Sequence, residues 1–151
     1  MKRKSILYTL FLLVSFQVYS QESAWFVKFS DAKIYAESNK VPILLVFAGS
    51  DWCKPCMMLK ADILKSEVFH NYFSQKFALL YLDFPMQSKN KLADDLKKQN
   101  EMFAERYNKS GLFPNLVMID SNGKFIGSLK YKHQTPEQFI VECNDLLDKI
   151  K

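Results

Sequence analysis

Ile43-Leu44-Leu45-Val46-Phe47-Ala48 runs without a polar interruption, and Trp52-Cys53-Lys54-Pro55-Cys56 follows it closely, ahead of a helix-like stretch from Met57 to Lys65. An unbroken apolar run of this length suits a strand covered on both faces. The pair Cys-x-x-Cys therefore falls at the start of a helix that leaves a buried strand. Two cysteines three apart on a first helical turn can close a small disulfide. The unpaired N–H groups and positive dipole end of the helix stabilise a thiolate there. Cys53 is the candidate nucleophile and Cys56 the resolving thiol.

The chain has 151 residues and opens with Lys2, Arg3 and Lys4 ahead of the apolar stretch Ile6 to Phe16, with Val18-Tyr19-Ser20 beyond it. That order predicts a secretory signal over residues 1–20, cut between Ser20 and Gln21. An apolar stretch so short falls below the ~20 residues needed to cross a bilayer, so no stable membrane insertion is expected after cleavage. The alternative is an uncleaved N-terminal anchor. Export to the periplasm or cell envelope is expected in either case.

Removing twenty residues leaves 131, residues 21–151, enough for one domain with its own core. Loss of three basic residues and no acidic one lowers the net charge from +5 to +2. Most of the basicity thus belongs to the leader, which argues against nucleic acid as a partner. The three cysteines make at most one internal bridge, which excludes a disulfide-stapled miniature scaffold. Cys143, spaced with Phe139, Leu146, Leu147 and Ile150, reads as a small apolar residue on the inner face of the last helix.

The rest of the chain alternates strands and helices. Trp25 to Phe29 reads as a short strand, and Ser30-Asp31 as the cap of a helix reaching Asn39. A helical piece at Glu67 to Gln75 precedes a second buried strand, Phe77 to Asp83, and so long a crossover implies a parallel pair. Phe84-Pro85 ends that strand. Leu92, Leu96, Phe103 and Tyr107 share one side of a helix predicted over Asn90 to Tyr107. Asn122-Gly123 marks a hairpin between Asn115–Ile119 and Lys124–Leu129. Thr135, Pro136 and Gln138 form a capping box at the start of the last helix. Asn108-Lys109-Ser110 matches a glycosylation acceptor but reads as a loop.

From Phe47 through Cys56, in the Phe113-Pro114 pair before a strand, and in the hairpin Asp120-Ser121-Asn122-Gly123, the chain resembles the thioredoxin superfamily. The likeness extends from about Trp25 to Ile150. Lys40-Val41-Pro42 and the long helix after Asp83-Phe84-Pro85 bring it nearest to exported thioredoxin-like thiol:disulfide interchange proteins. The resemblance implies an α/β fold, a three-layer α/β/α sandwich with a mixed central sheet and an N-terminal helix before the first core strand. It also implies that Pro114 is cis beside the Cys-x-x-Cys. Phe113 would then offer backbone groups to an extended substrate segment.

Two departures bear on the chemistry. Phe47 stands where thioredoxins carry a buried acid, so the usual internal proton acceptor for Cys56 is missing. Lys54 stands where glycine or histidine is common, and its exposed ammonium is expected to lower the Cys53 pKa modestly. Asp51 is expected to face solvent, close enough with Ser50 to tune the thiols. Trp52 is expected on the surface beside them, and Pro55 completes the active-site surroundings.

The expected function is thiol:disulfide oxidoreduction without cofactor or metal, run as a reductant because no histidine separates the cysteines. The expected partners are cysteine-containing exported proteins and a membrane electron-donor thiol protein, acting with a monomer. Two other readings compete. One is soft-metal delivery, with Cys53 and Cys56 joined by Met57, Met58, His70 or His133 around Cu(I). The other is a non-catalytic module that holds peptides in the cis-proline groove.

Overall fold

The structure is a computed structural model that describes residues 25–150, so the expected signal segment 1–20 and its cleavage site lie outside the described residues. The described elements are β1 (Trp25–Phe26), α1 (Phe29–Asn39), β2 (Ile43–Ala48), α2 (Lys54–Met58) and a π-helical turn (Leu59–Leu64). They continue with α3 (Glu67–Phe73), β3 (Ala78–Asp83), α4 (Asp94–Tyr107), β4 (Asn115–Ile119), β5 (Phe125–Leu129) and α5 (Pro136–Leu147). Short 3-10 turns at Ser88–Asn90 and Asp148–Ile150 precede α4 and follow α5.

The five strands form one sheet in the order β1-β3-β2-β4-β5. β1 and β2 both pair with β3 in parallel, whereas β4 runs antiparallel to β2 and β5 antiparallel to β4. The sheet is therefore mixed, as expected. The apolar run of β2 is explained by its central place: every residue from Ile43 to Ala48 is buried. Leu44, Val46 and Ala48 join one core cluster with Cys56, Leu59, Phe69 and Phe139. Ile43, Leu45 and Phe47 join another on the opposite face with Ala32, Ala36 and Phe103. Side chains alternate across a strand, so α2, α3 and α5 cover one face while α1 and α4 cover the other. The result is the three-layer thioredoxin-like sandwich, with α1 ahead of the first core strand.

Capping chemistry sets most element ends. Thr135 Oγ1 accepts from Gln138 N, and Gln138 Oε1 accepts from Thr135 N, completing the capping box at α5. The Asn122-Gly123 hairpin turns with Gly123 at φ +82°, and Asp120 Oδ1 accepts from Asn122 N and Lys124 N.

Several boundaries differ from the sequence expectation. α1 is capped at Lys28, whose carbonyl accepts from Ala32 N, and Gln99 Oε1 takes the Phe29 N–H. Ser30 lies inside the helix and donates instead to Asp31. The long helix begins at Asp94 and not at Asn90, because Asn90 belongs to the turn that reaches back to Asp51. The strand expected over Trp25 to Phe29 pairs only at Trp25 and Phe26.

Cys143 is fully buried between α5 and the sheet, as its spacing implied. Burial, helped by the nearby Glu142 carboxylate, pushes its thiol up to about 12. A thiol with that value carries almost no thiolate at pH 8. In the oxidised protein, an alkylating reagent at pH 8 should therefore label no cysteine until denaturant is added, and then label Cys143; rapid labelling of Cys143 in the native state would contradict its buried placement.

Candidate active site

The loop after β2 carries Cys53 to the head of α2, where it is the N-cap residue in extended conformation. Its Sγ accepts a hydrogen bond from Cys56 N at 3.3 Å, the place usually taken by the oxygen of serine or aspartate. Cys53 N donates to Gly49 O at 3.0 Å, and Met57 N donates to Cys53 O at 3.1 Å. Pro55 sits in the first turn, where a missing N–H costs nothing. Cys53 and Cys56 are joined as a disulfide with their Cα atoms 5.2 Å apart. Both are nearly covered, Cys53 at 4% exposure and Cys56 at 1%. Cys53 is thus the more open of two secluded residues.

α2 passes without a break into the π-helical turn, where Lys65 N donates to Lys60 O at 3.0 Å. Leu59, Ile63 and Leu64 face the core. Lys60 is half-buried, its Nζ lying 4.5 Å from the ring centre of Tyr81 in the same core cluster. The wide turn was not visible in a sequence pattern that reads as ordinary helix. Its signature is a hydrogen bond one residue longer than the α-helical one.

Phe113-Pro114 is the one cis peptide bond among the described residues. Trp52 and Phe113 meet edge to face with ring centres 5.2 Å apart, so the residue before the proline lies against the Cys-x-x-Cys loop. Asn108, at the end of α4, fixes that segment. Its Nδ2 donates to Leu112 O at 2.9 Å, and its Oδ1 accepts from Leu112 N and Asn115 Nδ2. Asn108 is buried, so the glycosylation-like triplet is a structural turn. Among the described residues, the Phe113 N–H and C=O enter no hydrogen bond.

Trp52 is 43% exposed, and its Nε1 donates to Phe84 O at 2.7 Å. The indole lies over Gly49, where an added Cβ would come within 2.3 Å of the ring. Only glycine fits there without moving Trp52. Lys54 and Pro55 are exposed, and Lys54 forms no ion pair among the described residues. Phe47 is fully buried against Phe84, which leaves no acid at its position.

Asp51 lies at the surface as expected, yet its carboxylate is occupied. It accepts from Met86 N, Gln87 N and Asn90 Nδ2, each at 2.9 Å. The Met86 N–H, the Asn90 amide and the Gln87 N–H hold its carboxyl below the usual carboxylate range. Asp83, at the end of β3, is also occupied, by Ser50 N, Ser50 Oγ and Phe84 N. Two carboxylates thus stitch the Cys-x-x-Cys loop to the 83–90 loop. Sequence reasoning missed this second loop, because the contacts join residues more than thirty positions apart.

Among the described residues, no three or more His, Cys, Asp or Glu side chains are grouped to hold a metal ion. His70 packs against Phe73 and His133 against Tyr131, each in ring contact with its aromatic neighbour.

A family model described as thioredoxin-like matches residues 24–121. The chain belongs to the thioredoxin-like family. It is 30% identical over 104 residues to the disulfide bond reductase DsbH of Chlamydia pneumoniae, covering 69% of this chain and 61% of that protein. It is 22% identical over 100 residues to the thioredoxin-related protein DsbJ of the same organism, covering 66% of this chain and 28% of that one. The chain therefore spans only part of the length of both relatives. A solved structure of a DsbH oxidoreductase superposes with a TM-score of 0.75 at 26% identity, over 82% of this chain and 83% of that one.

The Asp51 contacts generate a pH-dependent expectation. A carboxyl depressed in the folded state contributes its hold above the unfolded value of ~3.9 and loses it as pH falls through the folded value. Amide exchange at Met86 and Gln87 should be slow at pH 7, lose protection on acidification below about pH 4, and be fast at pH 7 in Asp51→Ala. Unchanged protection in the variant would show that Asp51 does not hold this loop.

Proposed function

We propose that this protein is an exported thiol:disulfide oxidoreductase that reduces disulfides in partner proteins through Cys53 and Cys56. The observation that carries this reading is the helix-capping sulfur: Cys53 Sγ accepts the Cys56 N–H at 3.3 Å, with its partner cysteine at bonding distance. Membership of the thioredoxin-like family and 30% identity over 104 residues to a protein named disulfide bond reductase support it. So does Lys54-Pro55 between the cysteines, which places no histidine there.

In the reduced protein, the Cys53 thiolate attacks one sulfur of a client disulfide. A Cys53–client disulfide forms and the other client sulfur leaves as a thiolate that takes up a proton. Cys56 then loses its proton and attacks Cys53 Sγ, expelling the second client sulfur. The client gains two electrons and two protons, and the protein is left with the Cys53–Cys56 bridge. Phe47 supplies no acid for the second step, so water or the departing client thiolate takes the Cys56 proton. Return to the dithiol requires a second thiol protein, proposed here as a membrane electron donor.

The free N–H and C=O of Phe113 support its role as the backbone edge that holds an extended client beside the sulfurs. Pro114, with no N–H of its own, keeps that edge clear of a competing donor. Trp52 contributes an apolar wall. Export rests on Lys2, Arg3 and Lys4 ahead of Ile6 to Phe16. No helix among the described residues is long and apolar enough to cross a membrane.

Reduction of a disulfide-bridged peptide by the reduced protein separates the two sulfur roles. Cys53→Ser should lower the rate to that of the uncatalysed exchange. Cys56→Ala should accumulate a peptide bound through Cys53 and released by dithiothreitol. Full activity in Cys53→Ser would contradict the assignment, and binding of the peptide by the wild type without its reduction would favour a peptide-holding module.

A further inference from the structure

An open cavity of about 550 Å³ lies beside Trp52, outside the immediate surroundings of the two sulfurs. Its walls come from the Cys-x-x-Cys loop, the segment after β3 and the start of α4. Trp52, Phe84 and Phe113 form one side, with Phe84 and Phe113 edge to face at 5.3 Å. Met86 and Leu92 also line it.

Several polar side chains in these walls already have partners. Trp52 Nε1 is bound to Phe84 O, the Asp83 carboxylate to Ser50 and Phe84 N, and Asn100 Nδ2 to Asp83 O. Lys97 and Glu101 at the rim pair with each other at 3.1 Å. The greater part of what faces an occupant is ring, hydrocarbon and thioether surface, with Ser88 and Lys91 beside it. Met86 is 76% exposed on a backbone anchored by Asp51, so a flexible, polarizable side chain hangs from a fixed mount.

The cavity adjoins the thiol site through two residues that line it and touch each other: Trp52, next to Cys53 in the chain, and Phe113, next to Pro114. An extended chain advances ~3.3 Å per residue, so a segment attached at Cys53 would bring residues near its own cysteine to this opening. We propose that the cavity is a specificity pocket for a large apolar side chain, such as Leu, Met or Phe, one to three residues from the client's reacting cysteine. This rests on the oxidoreductase reading above and adds a rule for which disulfides are chosen. A charged or small residue at that position leaves the rings and Met86 uncovered and gains nothing from the walls.

The test uses the full chain and disulfide-bridged peptides that differ only in Leu or Ser at each position one to three residues on either side of the reacting cysteine. The readout is the ratio of kcat/KM for the Leu peptide to that for its Ser counterpart. This ratio cancels general loss of activity. The wild type should favour Leu about tenfold at one or more positions, the discrimination an apolar pocket ordinarily gives. Leu92→Glu and, independently, the exposed-site variant Met86→Glu should bring that ratio close to one. A wild-type ratio near one at every position, or an undiminished preference in both variants, would overturn the proposal. Reduction of hydroxyethyl disulfide by the wild type is measured alongside: if it is absent the oxidoreductase reading itself fails, whereas if it is present with no Leu preference only the pocket fails.

Discussion

A sulfur atom caps a helix in this protein. Cys53 Sγ takes the N–H of Cys56, one of the donors that every helix leaves unpaired at its start. In the reduced protein the same geometry would point that donor, and the positive end of the helix, at the Cys53 sulfur. Ionising Cys53 therefore strengthens a bond that the helix already offers. The remaining architecture keeps this arrangement in place: β2 is clamped between β3 and β4, and Gly49 O receives the Cys53 N–H. A buried central strand gives the loop a rigid base, and the helix behind it is locked by Leu59, Ile63 and Leu64 in the core.

Around that cap, single polar side chains position whole segments. Asp51 gathers the N–H groups of Met86 and Gln87, Asp83 gathers Ser50, and Asn108 ties both backbone groups of Leu112 ahead of the cis bond. Each substitutes for a stretch of regular secondary structure that the loops do not have. Backbone groups outside regular structure need partners too, and these three residues provide them without a strand or helix entering the site. The aromatic contacts of Trp52, Phe84 and Phe113 then close the space between the segments.

Much of this could be read from the sequence because the signals were local. The apolar run of β2, the Asn122-Gly123 turn, the Thr135 capping box and the inward Cys143 all depend on residues within one turn or one strand of each other. The Cys-x-x-Cys is legible from its own residues, whereas the cis Phe113-Pro114 bond is implied only by resemblance, and the structure brings Trp52 and Phe113 together. The rest depends on distant partners. Ser30 looks like an ideal cap, but Gln99, seventy positions away, takes the Phe29 N–H and moves the helix start. Asp51 reads as a solvated loop acid until the 83–90 loop is folded against it. The π-helical turn over Leu59–Leu64 occupies a stretch whose sequence reads as ordinary helix.

The stabilised thiolate is tested most directly by titrating the alkylation rate of each cysteine in the reduced protein against pH. A helix-capping Cys53 should react along a curve whose midpoint lies well below the ~8.5 of a free cysteine, while Cys56 stays slow throughout. A midpoint at or above the free value for Cys53, or faster alkylation at Cys56, would contradict it.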